Sequence, residues 1–162
     1  MSEKPRLTGG CQCGAVRYAL HETPAKPQIC HCRMCQKAFG SFFAPLAEVP
    51  VDKFELTRGH LAIFMSSGET ERGFCRDCGT PLTLHDVGSP IIEFSIGSLD
   101  APEAVRPQSQ FGVESRLSWF AALPALPDES TTEGHDPERA AQIAASNHQH
   151  PDHDTAVWPP KA

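Results

Sequence analysis

The 162-residue chain predicts a mainly β fold. Two observations carry this. No stretch keeps a long helical period, and short runs rich in β-branched and aromatic residues recur between Gly and Pro. A chain of this length can bury a sizeable core as one domain, or as one domain with a tail.

Taken in order, Gly9 to Leu20 (GGCQCGAVRYAL) reads as a turn carrying Cys11 and Cys13 and then a strand. In that strand Val16, Tyr18 and Leu20 form the larger apolar face against Ala15, Arg17 and Ala19. Pro24 and Pro27 break the chain before a short strand at Gln28-Ile29-Cys30. Arg33 to Phe39 permits one or two helical turns, with Gly40 as C-cap. Ser41 to Val49 is a strand in which Pro45 argues for an edge or a bulge. Phe54 to Arg58, a turn at Gly59-His60, and Leu61 to Ser66 follow as strand, turn and strand. Glu69 to Phe74 leads into the second cysteine pair, and Gly79 to Leu84 leads out of it. Pro90 to Ile96 (PIIEFSI) has the clearest pattern of a core strand. Asp100 to Glu103 is a turn or a helix start, and a last strand is expected within Phe111 to Phe120. After Leu123 the composition turns Pro-rich and acidic, with four of the eight histidines. One helix is expected at Pro137 to Ala145, capped by Asp136 with Pro137 at its first position. Trp158 is the expected anchor of this tail on the body. The domain boundary is therefore placed at residue 123, with 124–162 as the tail.

The net charge of −6 is unevenly placed. Up to Leu123 there are 12 basic and 13 acidic residues; from Pro124 onward there are 2 and 7. A nearly neutral body offers no basic field for nucleic acid. The first six residues show no apolar stretch of the signal-peptide kind, and no apolar run reaches the ~18 residues of a membrane span. The expectation is a soluble, cytoplasmic protein with no membrane partner, in a compartment where thiols stay reduced. There, seven cysteines point to metal rather than to disulfides, and an odd number suits disulfides poorly.

Seven divides as four plus three. Cys11-Gln12-Cys13-Gly14 and Cys75-Arg76-Asp77-Cys78-Gly79 have the form of two metal-binding knuckles. The glycine after each pair supplies the positive φ that such a turn needs. Together they make one four-thiolate set, which would staple distant strands as a structural zinc. The rival reading of Cys75 and Cys78 as a redox pair lacks a βαβ setting. Cys30-His31-Cys32-Arg33-Met34-Cys35 is different: three cysteines in six residues, with no fourth nearby. Catalytic zinc keeps three protein ligands and an open position, so this set suggests a metal that can still bind a substrate thiol. Cys32 and Cys35, at a helix start, are expected to ionise readily. A histidine (His60, His85 or one of the tail) is the alternative fourth ligand, while His31 is expected to point away. Arg17, Arg58, Arg72 and Arg76 read as solvated.

With GGCQCGAVRY, CHCRMCQKAFGS, RGFCRDCGTPL and FSIGSLD in view, Gly9 to Leu123 resembles the glutathione-dependent formaldehyde-activating enzyme family, also called the GFA or CENP-V domain. The resemblance implies an Mss4-like β-tent of packed antiparallel sheets with few short helices. It implies a structural zinc on Cys11, Cys13, Cys75 and Cys78 and a second zinc on Cys30, Cys32 and Cys35, these last three also being the catalytic set. The implied activity is that of a carbon–sulfur lyase acting in the synthetic direction, joining glutathione to formaldehyde as S-(hydroxymethyl)glutathione. Arg33 and Lys37, nearest in sequence, are the candidate partners for the carboxylates of glutathione. The alternative is a non-catalytic zinc-stabilised module that carries a small thiol or binds a protein. A methionine sulfoxide reductase is a third reading, and it lacks a metal-free cysteine.

Overall fold

The structure is a computed structural model describing residues 7–159. Among them the Gly and Pro punctuation cuts the chain into ten short strands. These are β1 (Leu7–Gly10), β2 (Arg17–Leu20), β3 (Ala25–Cys30), β4 (Ala44–Pro50) and β5 (Phe54–Arg58), then β6 (Ala62–Met65), β7 (Thr70–Phe74), β8 (Pro81–Asp86), β9 (Ile91–Ser95) and β10 (Ser109–Phe111). Three helices accompany them: α1 (Arg33–Phe39), α2 (Thr132–His135) and α3 (Pro137–Ser146). The fold is mainly β, as expected. A three-stranded sheet runs β1-β2-β5, and a seven-stranded sheet runs β10-β3-β4-β9-β8-β7-β6. All pairings are antiparallel except β10 with β3, which is parallel.

The core lies between the sheets. Tyr18 of β2 stacks on Phe54 of β5 at 5.0 Å between ring centroids and meets Phe94 of β9 at 6.2 Å. Leu20, Val49, Leu82 and Ile96 complete it. Each such side chain contributes about 1.5–3 kcal/mol through burial. The buried Tyr18 hydroxyl is satisfied by Ser98 Oγ at 2.8 Å. A second, smaller cluster of Cys30, Cys35, Ala44 and Leu46 lies under α1.

α1 forms where its pattern predicted, with Gly40 left-handed at φ 58° as C-cap. α3 likewise starts at Pro137, with Asp136 accepting from the Arg139 N–H at 2.9 Å. Several expectations are corrected. Every residue from Arg17 to Leu20 is buried, so the face that carries Arg17 and Ala19 is covered as well as the larger apolar face of Tyr18 and Leu20. β4 is an interior strand, flanked by β3 and β9; Pro45 is accommodated because it pairs with Ile29, one residue before the ladder to β9 begins at Leu46. The last strand ends at Phe111, and Phe120–Ala125 is a 3-10 turn instead. Arg17 and Arg72 are buried, at 3% and 8% exposure. His150 is also buried, and Trp158 keeps part of its ring exposed while its indole N–H donates to Cys13 O at 2.7 Å.

Candidate metal centres

The β1–β2 turn is built by backbone bonds from Cys11 N to Val16 O (3.0 Å) and from Gly14 N to Cys11 O (3.1 Å). It aims the Val16 N–H at Cys11 Sγ, 3.2 Å away. The β7–β8 turn repeats this design, with Cys75 N to Thr80 O at 3.0 Å and Gly79 N to Cys75 O at 2.9 Å. Gly14 and Gly79 have φ of 78° and 77°, the left-handed conformation that glycine adopts without steric cost. One turn belongs to the small sheet and the other to the large sheet, so the four sulfurs meet where the sheets join. Cys11 Sγ and Cys13 Sγ are 3.6 Å apart, and Cys13 Sγ and Cys75 Sγ are 3.8 Å apart. Thiolates bound at about 2.3 Å around a tetrahedral ion stand about 3.8 Å from one another, so this donor set fits such an ion. All four sulfurs lie within 4.8 Å of each other and could hold a metal. Burial pushes the Cys11 thiol well up. Cys78 feels the same burial, but bonds from Thr80 and the backbone N–H of Cys13 bring it down to about 6.

Cys30, Cys32 and Cys35 form the second group, also within 4.8 Å, and could hold a metal with three sulfurs. Cys30 ends β3, Cys32 is the N-cap of α1, and Cys35 lies in its first turn. The Cys35 N–H points at Cys32 Sγ, 3.4 Å away. Cys32 is raised by burial, but that N–H, the sulfurs of Cys35 and Cys30 and the charge of Arg72 carry it below the usual thiol range. Cys35 was expected to ionise as readily, and it differs. Its deeper burial outweighs the hydrogen bond and charge of Arg72 and leaves it raised. Burial also pushes Cys30 up to about 12.

A cavity of about 270 Å³ opens on this group. Met34, Leu84 and Phe111 give it apolar walls, and Arg72, Asp86 and Glu93 are its charged residues. Among the described residues no histidine joins the three sulfurs. His31 turns away, its Nε2 paired with Gln110 Oε1 at 2.9 Å and its ring edge-on to Phe120. His85 pairs with Glu71. Arg33 and Lys37 do not line the cavity: Arg33 folds back on Gln36 Oε1, and Lys37 is exposed on α1.

Residue-by-residue reading missed two contributors. Gln36 is buried and donates Nε2 to His31 O at 2.7 Å and to Ser115 O at 3.0 Å, which ties α1 to the loop after β10. Arg72, expected to be solvated, is instead buried beside the cysteines. The alternation of β7 places it on one face with Thr70, but that this face meets the cysteines follows only from the tertiary pairing of β7 with β8.

A family model described as "Glutathione-dependent formaldehyde-activating enzyme" matches residues 6–115. A Phaeosphaeria nodorum protein named "Putative glutathione-dependent formaldehyde-activating enzyme" is 32% identical over 74 residues, which are 44% of this chain and 39% of that protein. The match thus spans about two fifths of the length of that curated relative. A crystal structure of a Rhodobacter sphaeroides protein superposes with a TM-score of 0.52 at 22% identity, covering 64% of this chain and 98% of the other. That likeness concerns the fold. With the matched segment spanning well over half of the chain and both cysteine groups inside it, the chain belongs to the glutathione-dependent formaldehyde-activating enzyme family.

Proposed function

We propose that the chain joins a thiol of the glutathione type to formaldehyde, giving S-(hydroxymethyl)glutathione, and that both cysteine groups hold zinc. The sulfur spacing of the four-cysteine group supports a closed, structural ion. The observation that carries the enzymatic reading is the contrast between the groups. The second has three sulfurs, no fourth protein ligand among the described residues, and a cavity leading to it.

When bound there, zinc supplies a Lewis acid that keeps a ligating sulfur in its thiolate form near neutral pH. Cys30, Cys32 and Cys35 would hold it, and all three line the cavity. Leu84 and the more exposed Met34 and Phe111 give the cavity apolar walls beside these sulfurs. Arg72 places its positive charge beside Cys35. The substrate sulfur donates an electron pair to the formaldehyde carbon, the C–S bond forms, the C=O π bond opens, and the oxygen takes a proton from solvent.

Formaldehyde and thiols also combine unaided, so the test is acceleration. Exchange between free and hydroxymethylated glutathione, followed by NMR, should quicken in proportion to zinc-loaded protein and should not quicken with Cys32→Ser. Binding of glutathione with no acceleration would leave the chain a small-thiol carrier.

A further inference from the structure

Arg72 projects from β7 against the three-cysteine group and is 8% exposed. Its Nη2 donates to Cys35 Sγ at 3.5 Å, and its Nε donates to Ser66 Oγ at 3.0 Å. Its Nη1 is buried with no hydrogen-bond partner. Among the described residues no carboxylate oxygen lies within 4.0 Å of the guanidinium. Arginine does not shed its proton in a protein, and a buried charge needs a counter-charge. Glu93 and Asp86 line the same cavity, and neither forms an ion pair with the guanidinium.

The ionisable group that the guanidinium touches directly is the Cys35 sulfur. Three thiolates on a divalent ion leave one net negative charge, and a fourth thiolate makes it two. We propose, resting on the function argued above, that Arg72 is a positioning and recognition residue. Its charge balances the thiolate cluster, and its unpartnered Nη1 is the donor kept for the anionic sulfur of an incoming thiol. A sulfur completing the tetrahedron stands about 3.8 Å from Cys35 Sγ, on which the guanidinium already rests. The site thereby favours a thiolate over a neutral fourth ligand such as water or an alcohol.

The test uses the full chain with cobalt(II) in both sites and the variants Arg72→Met and Arg72→Lys. The first readout, cobalt affinity of the three-cysteine site from thiolate charge-transfer absorption, needs no thiol. Arg72→Met should weaken it by about 10–100-fold, Arg72→Lys should recover part of the loss, and the four-cysteine site should be unchanged in both. The second readout is the added charge-transfer band on titration with glutathione and, separately, with 2-mercaptoethanol, which has no carboxylate. Both thiols should bind Arg72→Met at least about tenfold more weakly than wild type.

Equal metal and thiol affinities in Arg72→Met and wild type would overturn the proposal. So would a loss confined to glutathione, since Arg72 would then read a carboxylate. If Arg72→Met loses both metals through misfolding, Arg72→Gln, neutral but still a donor to Ser66, takes its place. A wild-type protein that binds no thiol would remove the proposed function together with the donor role, while the metal-affinity readout would still decide the charge role.

Discussion

Cys13 and Cys75 are 62 residues apart in the chain, and their sulfurs stand 3.8 Å apart. That contact joins the β1–β2 turn of the small sheet to the β7–β8 turn of the large one. A metal at this point therefore closes a loop across both sheets, and its binding free energy becomes folding free energy. Cys75→Ser should lose one metal per chain and, with it, the cooperative unfolding transition. Metal analysis and a urea titration followed by circular dichroism check both. A variant that keeps a wild-type midpoint would show that the four-cysteine group is not a staple.

Cys32→Ser should behave in the opposite way. Cys32 is only half-buried and caps α1 through the Cys35 N–H. Serine is among the best N-caps, so α1 survives the change. The unfolding midpoint should move by less than the equivalent of about 1 kcal/mol, while the second metal is lost or much weakened. If Cys32→Ser and Cys75→Ser unfold alike, the three-cysteine group is scaffold as well.

The two knuckle glycines should not respond equally. A Cβ on Gly14 would stand 2.1 Å from His150 Cδ2, whereas a Cβ on Gly79 meets nothing within 4 Å. Both substitutions by alanine carry the left-handed backbone penalty of about 1–2 kcal/mol. Gly14→Ala should cost more and should also free the segment from His150 to Trp158, seen as faster amide exchange there. Introduced into a His150→Ala background, Gly14→Ala should cost no more than Gly79→Ala does in wild type. Equal single-variant costs would mean that the tail does not press on this turn.

Arg17 holds Asp100 in a two-bond fork, Nη1 to Oδ1 at 2.7 Å and Nη2 to Oδ2 at 2.5 Å, with Asp154 on the same guanidinium. Burial pushes Asp100 up, but the bonds from Arg17 and Thr8 and the Arg17 charge hold it below the usual carboxylate range. The folded state thus binds this proton less readily than the unfolded one. The pair's contribution is complete above the unfolded carboxylate pKa of about 3.9 and is lost as pH falls below it through the depressed folded value. Arg17→Met, which strands Asp100, should destabilise by about 3–5 kcal/mol at pH 7. The gap to wild type, read from urea midpoints, should be widest at pH 7 and narrow as pH falls, first as the stranded Asp100 of the variant takes up its proton and then, below about pH 4, as the wild-type pair itself is lost. A gap that stays unchanged from pH 7 down to pH 3 would assign the effect to another group.

How much of this was legible in the sequence follows the range of the interaction. α1 and α3 were legible because their signals, Gly40 after Phe39 and Asp136 before Pro137, act on adjacent residues. The division of the cysteines was legible because knuckle spacing is local, and the glycines after Cys13 and Cys78 mark the turns. Burial of Arg17 was not, since its partners Asp100 and Asp154 are 83 and 137 positions away. Nor was the parallel β10–β3 pairing, which depends on the long excursion between Cys30 and Ser109. Arg72 fails for the same reason: nothing near it in the chain announces Cys35.

The central claim is that the metal on Cys30, Cys32 and Cys35 keeps one position for a substrate sulfur. Calorimetric titration of glutathione into zinc-loaded protein, beside Cys32→Ser loaded in the same way, tests it most directly. One molecule should bind per wild-type chain, with no heat above dilution for Cys32→Ser. Identical binding isotherms for the two proteins would contradict it.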